Sequence, residues 1–167
     1  MKLNIIRGFL ILLLIWTFTV IFGFSNQGAE ESAGISGKIT DIITSKIKYI
    51  QEKDPEQKQK ILIRVERVIR KLAHFAIYTI VGILLMSLVY TYNLEEMDKI
   101  AISLIAGIIY ATSDEIHQHF IPGRAAMFSD VIIDSMGILL GVLLVMLVVK
   151  IYNEYIINEK VLKENNK

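Results

Sequence analysis

The side chains able to do chemistry are concentrated in one short run. From Ser113 to Asp130 the chain reads SDEIHQHFIPGRAAMFSD, and Asp134 follows four residues later. An earlier group, Lys71, His74 and Tyr78, is spaced by three and four. On a helix such spacings put side chains on one face. Lys71, His74 and Tyr78 therefore form one stripe, Asp114, His117 and Gln118 a second, and Asp130 and Asp134 a third. Carboxylates and imidazoles held in a low-dielectric setting can have their proton affinity moved toward working pH. Glu115, His74, Asp130 and Asp134 are accordingly the candidate catalytic residues. Asp114 and Glu115 are adjacent and point about 100° apart on a helix, so they do not form a simple dyad. One is expected to face the bundle and the other its rim. The bland alternative is a helix end whose acids meet water.

The remaining polar groups read as ligand contacts. Arg124 follows Pro122-Gly123, a dipeptide that signals a tight turn. A guanidinium fixed there can clamp a phosphate or carboxylate bidentately. Equally, it can pair with Asp114 or Asp130 and only lock the turn. Lys71 carries the same ambiguity, with snorkelling to the interface as its plain role. His74 is a proton shuttle, a metal ligand, a substrate contact or a hydrogen-bonded packing residue. His119 reads as an exposed interfacial residue. A divalent metal held by His74 with His117, Glu115 or Asp130 is an alternative, but no HExxH-type pattern is present, so the signal for a metal is weak and none is assigned, nor any other cofactor.

These residues must be positioned by elements of an unusual kind. More than half of the 167 residues are apolar, which exceeds the ordinary range for a water-soluble domain. Net charge is +1, which gives no reason to expect a nucleic-acid partner. Cysteine is absent, which removes disulfides, thiol catalysis and thiolate metal ligands. A helix crossing a hydrocarbon core of about 30 Å needs about 20 apolar residues. Four stretches approach this: 8–24, 72–92, one starting near Ile100, and one from about Met127 to Tyr152. The chain is expected to be all-α, a polytopic bundle of four transmembrane helices. The first run has a basic start in Lys2 and Arg7 but is long for a signal peptide and lacks a clear cleavage site, so it reads as a retained helix.

The third run locates the polar cluster. From Ile100 to Ser113 only 14 uncharged residues are available, a rise of about 21 Å. To finish the crossing, the helix must take Asp114, Glu115, His117 and Gln118 to the membrane boundary. The fourth run starts the same way, with Asp130 and Asp134 ahead of its long uncharged part. Ionisable groups at that depth are costly unless they face the bundle interior and pair. Three polar stripes are thus expected to converge at one end of the bundle. Gly137 and Gly141 form a G-x-x-x-G that favours close packing of helices within the chain over a dimer face; a homo-oligomer stays open.

The chain divides into a first helix at 1–24, a loop at 25–71, a core at 72–152 and a tail at 153–167. The loop is amphipathic. Ile35, Ile39, Ile42, Ile43, Ile47 and Ile50 recur at helical spacing, and 58–70 repeats the pattern with Arg64, Arg67 and Arg70 on another side. Interfacial helices that rim the cluster, or only hold the loop to headgroups, fit both segments. Lys2 and Arg7 before the first span, Glu30 and Glu31 after it, and Lys150, Lys160, Lys163 and Lys167 at the other terminus favour cytoplasmic termini. The loop's ten basic residues against seven acids pull the other way.

The segments RKLAHFAIY, DEIHQHFIPGR and SDVIIDSMGILLG, with FSNQ after the first span, resemble the VanZ-like family of bacterial membrane proteins. The resemblance runs roughly from Phe24 to Leu144 and shows no clear departure at these motifs. It implies a bacterial cell-membrane location and a link to low-level resistance to the glycopeptide teicoplanin, without supplying a reaction. It also implies a polar set made of Ser25, Gln27, Lys71, His74, Tyr78, Asp114, Glu115, Gln118, Arg124, Asp130 and Asp134. The expected role is a site at the outer membrane face that binds or modifies an anionic, lipid-linked envelope molecule. Non-catalytic interaction with the surface or the antibiotic is the alternative. A small transporter fits less well, because no polar path continues through the second and fourth spans.

Overall fold

The computed structural model describes residues 1–124 and 126–165, with side chains described outside 29–33, 35 and 160–165. The side chains of Glu30, Glu31, Ile35, Lys160, Lys163 and Lys167 used above lie outside the described set. Six helices follow one another: α1 Lys2–Ser25, α2 Ala29–Thr44, α3 Lys48–Gln51, α4 Pro55–Val89, α5 Glu96–His119 and α6 Phe128–Asn165. Helices α1, α4, α5 and α6 are long and apolar enough to cross a membrane. The protein is an all-α, multi-pass membrane bundle.

Helix α4 is longer than its span requires. Asp54 caps it, its carboxylate accepting from the Gln57 amide at 2.9 Å, with Pro55 at its start and Glu56 in its first turn. No glycine or further proline interrupts the helix until Gly82. The amphipathic segment 58–70 is therefore the first half of α4 and continues directly into the second span. Helix α2 is the separate amphipathic helix, tied to α4 by the Ser36 hydroxyl donating to Glu66 at 3.0 Å.

Helices α1 and α5 run toward the polar end, and α4 and α6 run away from it. At the opposite end Arg7 donates to the Thr91 hydroxyl and carbonyl and lies 4.0 Å from the Tyr92 ring centre. Halfway along, Tyr110 stacks on Phe18 at 3.8 Å and donates to its carbonyl at 3.0 Å. The core is small: Ile21, Tyr78, Val81, Met86, Ala111, Ile138 and Val142 are buried. Outward-facing Phe9, Leu12, Trp16, Ile109 and Val148 are each more than 60% exposed, the pattern of a bundle whose solvent is hydrocarbon.

The G-x-x-x-G of α6 serves the intramolecular seam. A Cβ on Gly141 would stand 2.2 Å from the Thr79 carbonyl oxygen, and one on Gly137 would stand 2.5 Å from that of Phe75. Gly82 offers the reciprocal space, a Cβ there meeting the Ile138 carbonyl oxygen at 2.2 Å. Backbone contact between α4 and α6 fixes how their polar residues face each other.

Candidate functional site

Helix α5 carries its charged end into the bundle, as the short apolar run requires. Asp114, Glu115 and Gln118 are buried. One oxygen of Asp114 accepts from the Tyr78 hydroxyl at 3.1 Å and from the Gln118 amide at 3.0 Å. The same Gln118 nitrogen reaches Ser25 Oγ at 3.2 Å, joining α1 to the network. Tyr78 is fully buried, so this phenol is held under the site by its carboxylate partner.

Glu115 does not face the rim. It is only 4% exposed, and Asp114 only 5%. The cause is the loop between α5 and α6, which folds back so that the Met127 amide donates to Glu115 Oε1 at 2.6 Å. The fold-back starts at a hydrogen-bonded turn in which the Arg124 amide donates to the Ile121 carbonyl at 3.1 Å. Pro122 occupies its second position, and Gly123, at φ 75°, its third, the signature of a type II turn. Neighbouring directions on a helix thus become equally buried when a loop closes over one of them.

Two further pairs link α4 to α6. Lys71 Nζ lies 2.6 Å from Asp130 Oδ1, which also accepts from the Ser129 hydroxyl at 3.0 Å. One turn deeper, His74 Nδ1 stands 3.6 Å from Asp134 Oδ1, beyond hydrogen-bond reach. Among the described residues neither that nitrogen nor either Asp134 oxygen has a hydrogen-bond partner, and Asp134 is 1% exposed. An unsatisfied buried carboxyl costs about 1–3 kcal/mol. Asp134→Asn replaces the unsatisfied buried carboxyl with a neutral amide of the same shape, so it is expected to raise the thermal midpoint of the detergent-solubilised protein. At about 3 °C per kcal/mol for this chain length, a rise of several degrees is expected; a fall would show that Asp134 stabilises the bundle.

Above these pairs is a cavity of about 470 Å³. Ser25, Gln27, Lys71, His74, Gln118 and Asp130 reach its wall, together with Arg124. Tyr78, Asp114, Glu115 and Asp134 do not line it and stand behind that wall, in contact with residues that do. Arg124 pairs with neither Asp114 nor Asp130 among the described residues; its Nη2 donates to the Phe24 carbonyl at 3.2 Å. Burial lowers the pKa of this guanidinium, and the nearby Arg70 charge adds to the effect. His117 packs against the Phe22 ring at 4.7 Å, and His119 is exposed. No cluster of three or more His, Asp or Glu residues able to hold a metal ion is found among the described residues.

Arg67 and Arg70 also line the cavity, as do Ser36 and Ile39 of α2. None of these was singled out as a site residue from the sequence. The available signal was continuity. With no helix breaker between Pro55 and Lys71, residues 67, 70, 71, 74 and 78 fall on one stripe of a single helix. The lining also includes apolar side chains, Ile21, Phe24, Ile69, Ile77 and Met127.

Fold and site together define an all-helical, multi-pass membrane protein with a cationic, half-apolar cavity at one end of its bundle. A family model described as VanZ/LLP1 matches residues 9–149. The chain belongs to the VanZ-like family. No curated protein and no solved structure matches it.

Proposed function

We propose that the cavity binds the anionic head of a lipid-linked envelope molecule at the outer face of the bacterial cell membrane. One observation carries this reading: a single cavity at the end of a transmembrane bundle is lined by Arg67, Arg70, Lys71 and Arg124 together with apolar side chains. Guanidinium groups are suited to phosphate or carboxylate, and the apolar side chains to the first carbons of a tail. The outward orientation is supported by Lys2, Arg7 and Lys150 at the opposite end of the bundle. Three of the loop's basic residues, Arg67, Arg70 and Lys71, line the cavity, so they serve the site and count less as topology signals. Holding or altering such a molecule changes the surface that a lipophilic glycopeptide meets, which is how this family's link to teicoplanin resistance would arise.

Turnover is a second reading, favoured by the buried Asp134 behind the cavity-lining His74. In that reading His74 moves protons and the Asp134 carboxylate, 3.6 Å from its Nδ1, stabilises the protonated imidazole by charge.

Lipid-resolved mass spectrometry of the purified protein tests both. An anionic lipid is expected to co-purify with the wild type and to fall at least tenfold with Arg124→Ala. Glu115→Gln keeps an oxygen for the Met127 amide and should retain the fold. A lipid chemically altered by the wild type and by Glu115→Gln, but not by His74→Gln, would establish turnover at His74. Equal lipid content in wild type and Arg124→Ala would overturn the binding reading.

A further inference from the structure

The charges lining the cavity are not balanced. Lys71 is already matched by Asp130 at 2.6 Å, so this pair adds no net charge. Arg70 has a partial partner in Glu66, at 4.0 Å. Arg67 has no ion-pair partner among the described residues, and Arg124 is held only by a neutral backbone carbonyl. Among the described residues, two guanidinium groups lining the cavity, Arg67 and Arg124, thus have no ion-pair partner, the Asp114 and Glu115 carboxylates near Arg124 standing behind the wall. Guanidinium groups do not give up their proton in proteins, so both are available to pair with an anionic ligand.

Resting on the binding reading above, we propose that the site selects a lipid whose head carries two negative charges, a phosphate monoester or a diphosphate. Singly charged phosphodiester and carboxylate heads are bound less well. A monoester carries about −1.5 to −2 near neutral pH and offers three acceptor oxygens, enough to meet Arg67 and Arg124 together. A diester carries one charge and leaves one of the two guanidinium groups, exposed Arg67 or half-buried Arg124, without a partner. The proton affinity of Arg124 is lowered by burial first and by Arg70 nearby, with Asp114 and Glu115 opposing the shift, which agrees with a guanidinium that gains from a further anionic partner. The volume of about 470 Å³ is within the range of small-molecule sites and leaves room beyond a phosphate for the start of a tail along Ile21, Phe24 and Ile77.

The test is a titration of the purified full chain in a neutral detergent at pH 8. The probes are dioleoyl phosphatidic acid, dioleoyl phosphatidylglycerol and dioleoyl phosphatidylcholine, with glycerol 1-phosphate as the tail-free arm. Phosphatidic acid is expected to bind at least tenfold tighter than phosphatidylglycerol, and glycerol 1-phosphate at least tenfold more weakly than phosphatidic acid. Arg67→Gln and Arg124→Gln should each erase the preference for the monoester, while Arg67→Lys, which keeps the charge, restores part of it. Equal affinity for phosphatidic acid and phosphatidylglycerol, both above phosphatidylcholine, would overturn the two-charge proposal and leave the anionic-lipid reading standing. No preference over phosphatidylcholine would overturn both. Glycerol 1-phosphate binding as tightly as phosphatidic acid would overturn the lipid as the source of the phosphate.

Discussion

Replacing Gly141 with leucine is expected to abolish the folded bundle, whereas the same change at Gly23 leaves it intact. The contrast follows from what each position touches. A side chain on Gly141 would run into the Thr79 carbonyl oxygen at 2.2 Å and the Ile83 nitrogen at 2.6 Å, while a Cβ on Gly23 meets nothing within 4 Å. The obstacle at Gly141 is helix backbone, which cannot rotate aside as a side chain would. Helices α4 and α6 must separate, and with them the contacts that bury Tyr78, Ile138 and Val142. Ordinary overpacking costs about 1–3 kcal/mol; separation along a whole seam should exceed that. Size-exclusion profiles after detergent extraction give the readout. A monodisperse peak and an unchanged thermal midpoint for Gly141→Leu would show that the close approach of α4 and α6 does not hold the fold.

The second large effect is expected at Asp114. Alanine there removes the acceptor shared by the fully buried Tyr78 hydroxyl and the buried Gln118 amide. Two donors left unsatisfied cost about 1–3 kcal/mol each, so the thermal midpoint should fall by roughly 6–18 °C at about 3 °C per kcal/mol. Asp114→Asn keeps an acceptor oxygen and should lose less than half as much. Adding Tyr78→Phe to Asp114→Ala deletes one stranded donor, so the double variant should be more stable than the sum of its parts predicts. Strict additivity would mean that the Tyr78–Asp114 bond contributes nothing to the bundle.

The location of this network is legible in the sequence for a physical reason. A run of 14 uncharged residues from Ile100 to Ser113 cannot span hydrocarbon, so Asp114 and Gln118 have to enter the bundle, and α5 extends to His119 accordingly. The stripes also survive: Lys71 meets Asp130, and His74 faces Asp134, because helical spacing fixes which side chains share a face. What periodicity does not specify is which neighbour a face meets. The pattern that makes 58–70 amphipathic is the same for a helix lying on lipid and for one lining a cavity, so in the sequence Arg67 and Arg70 fit a helix that rims the cluster as well as one that only holds the loop to headgroups. The burial of Glu115 was hidden for another reason. It depends on how the loop after Gly123 folds back to place the Met127 amide, a tertiary contact with no local signature.

Helix α1 is fastened at both ends, by Arg7 on Thr91 and Tyr92 and by Ser25 and Phe24 on Gln118 and Arg124. At 1.5 Å per residue these fastenings are about 27 Å apart, close to the thickness of a hydrocarbon core. The helix is in effect a gauge whose two stops sit at the two water boundaries. Its upper stop is part of the cavity wall, so membrane thickness and cavity depth are measured by the same rod. In a thicker bilayer the gauge comes up short, and the cationic mouth is drawn below the headgroups. In a thinner one the bundle is expected to tilt. Access to the cavity is therefore expected to vary with the thickness of the surrounding membrane.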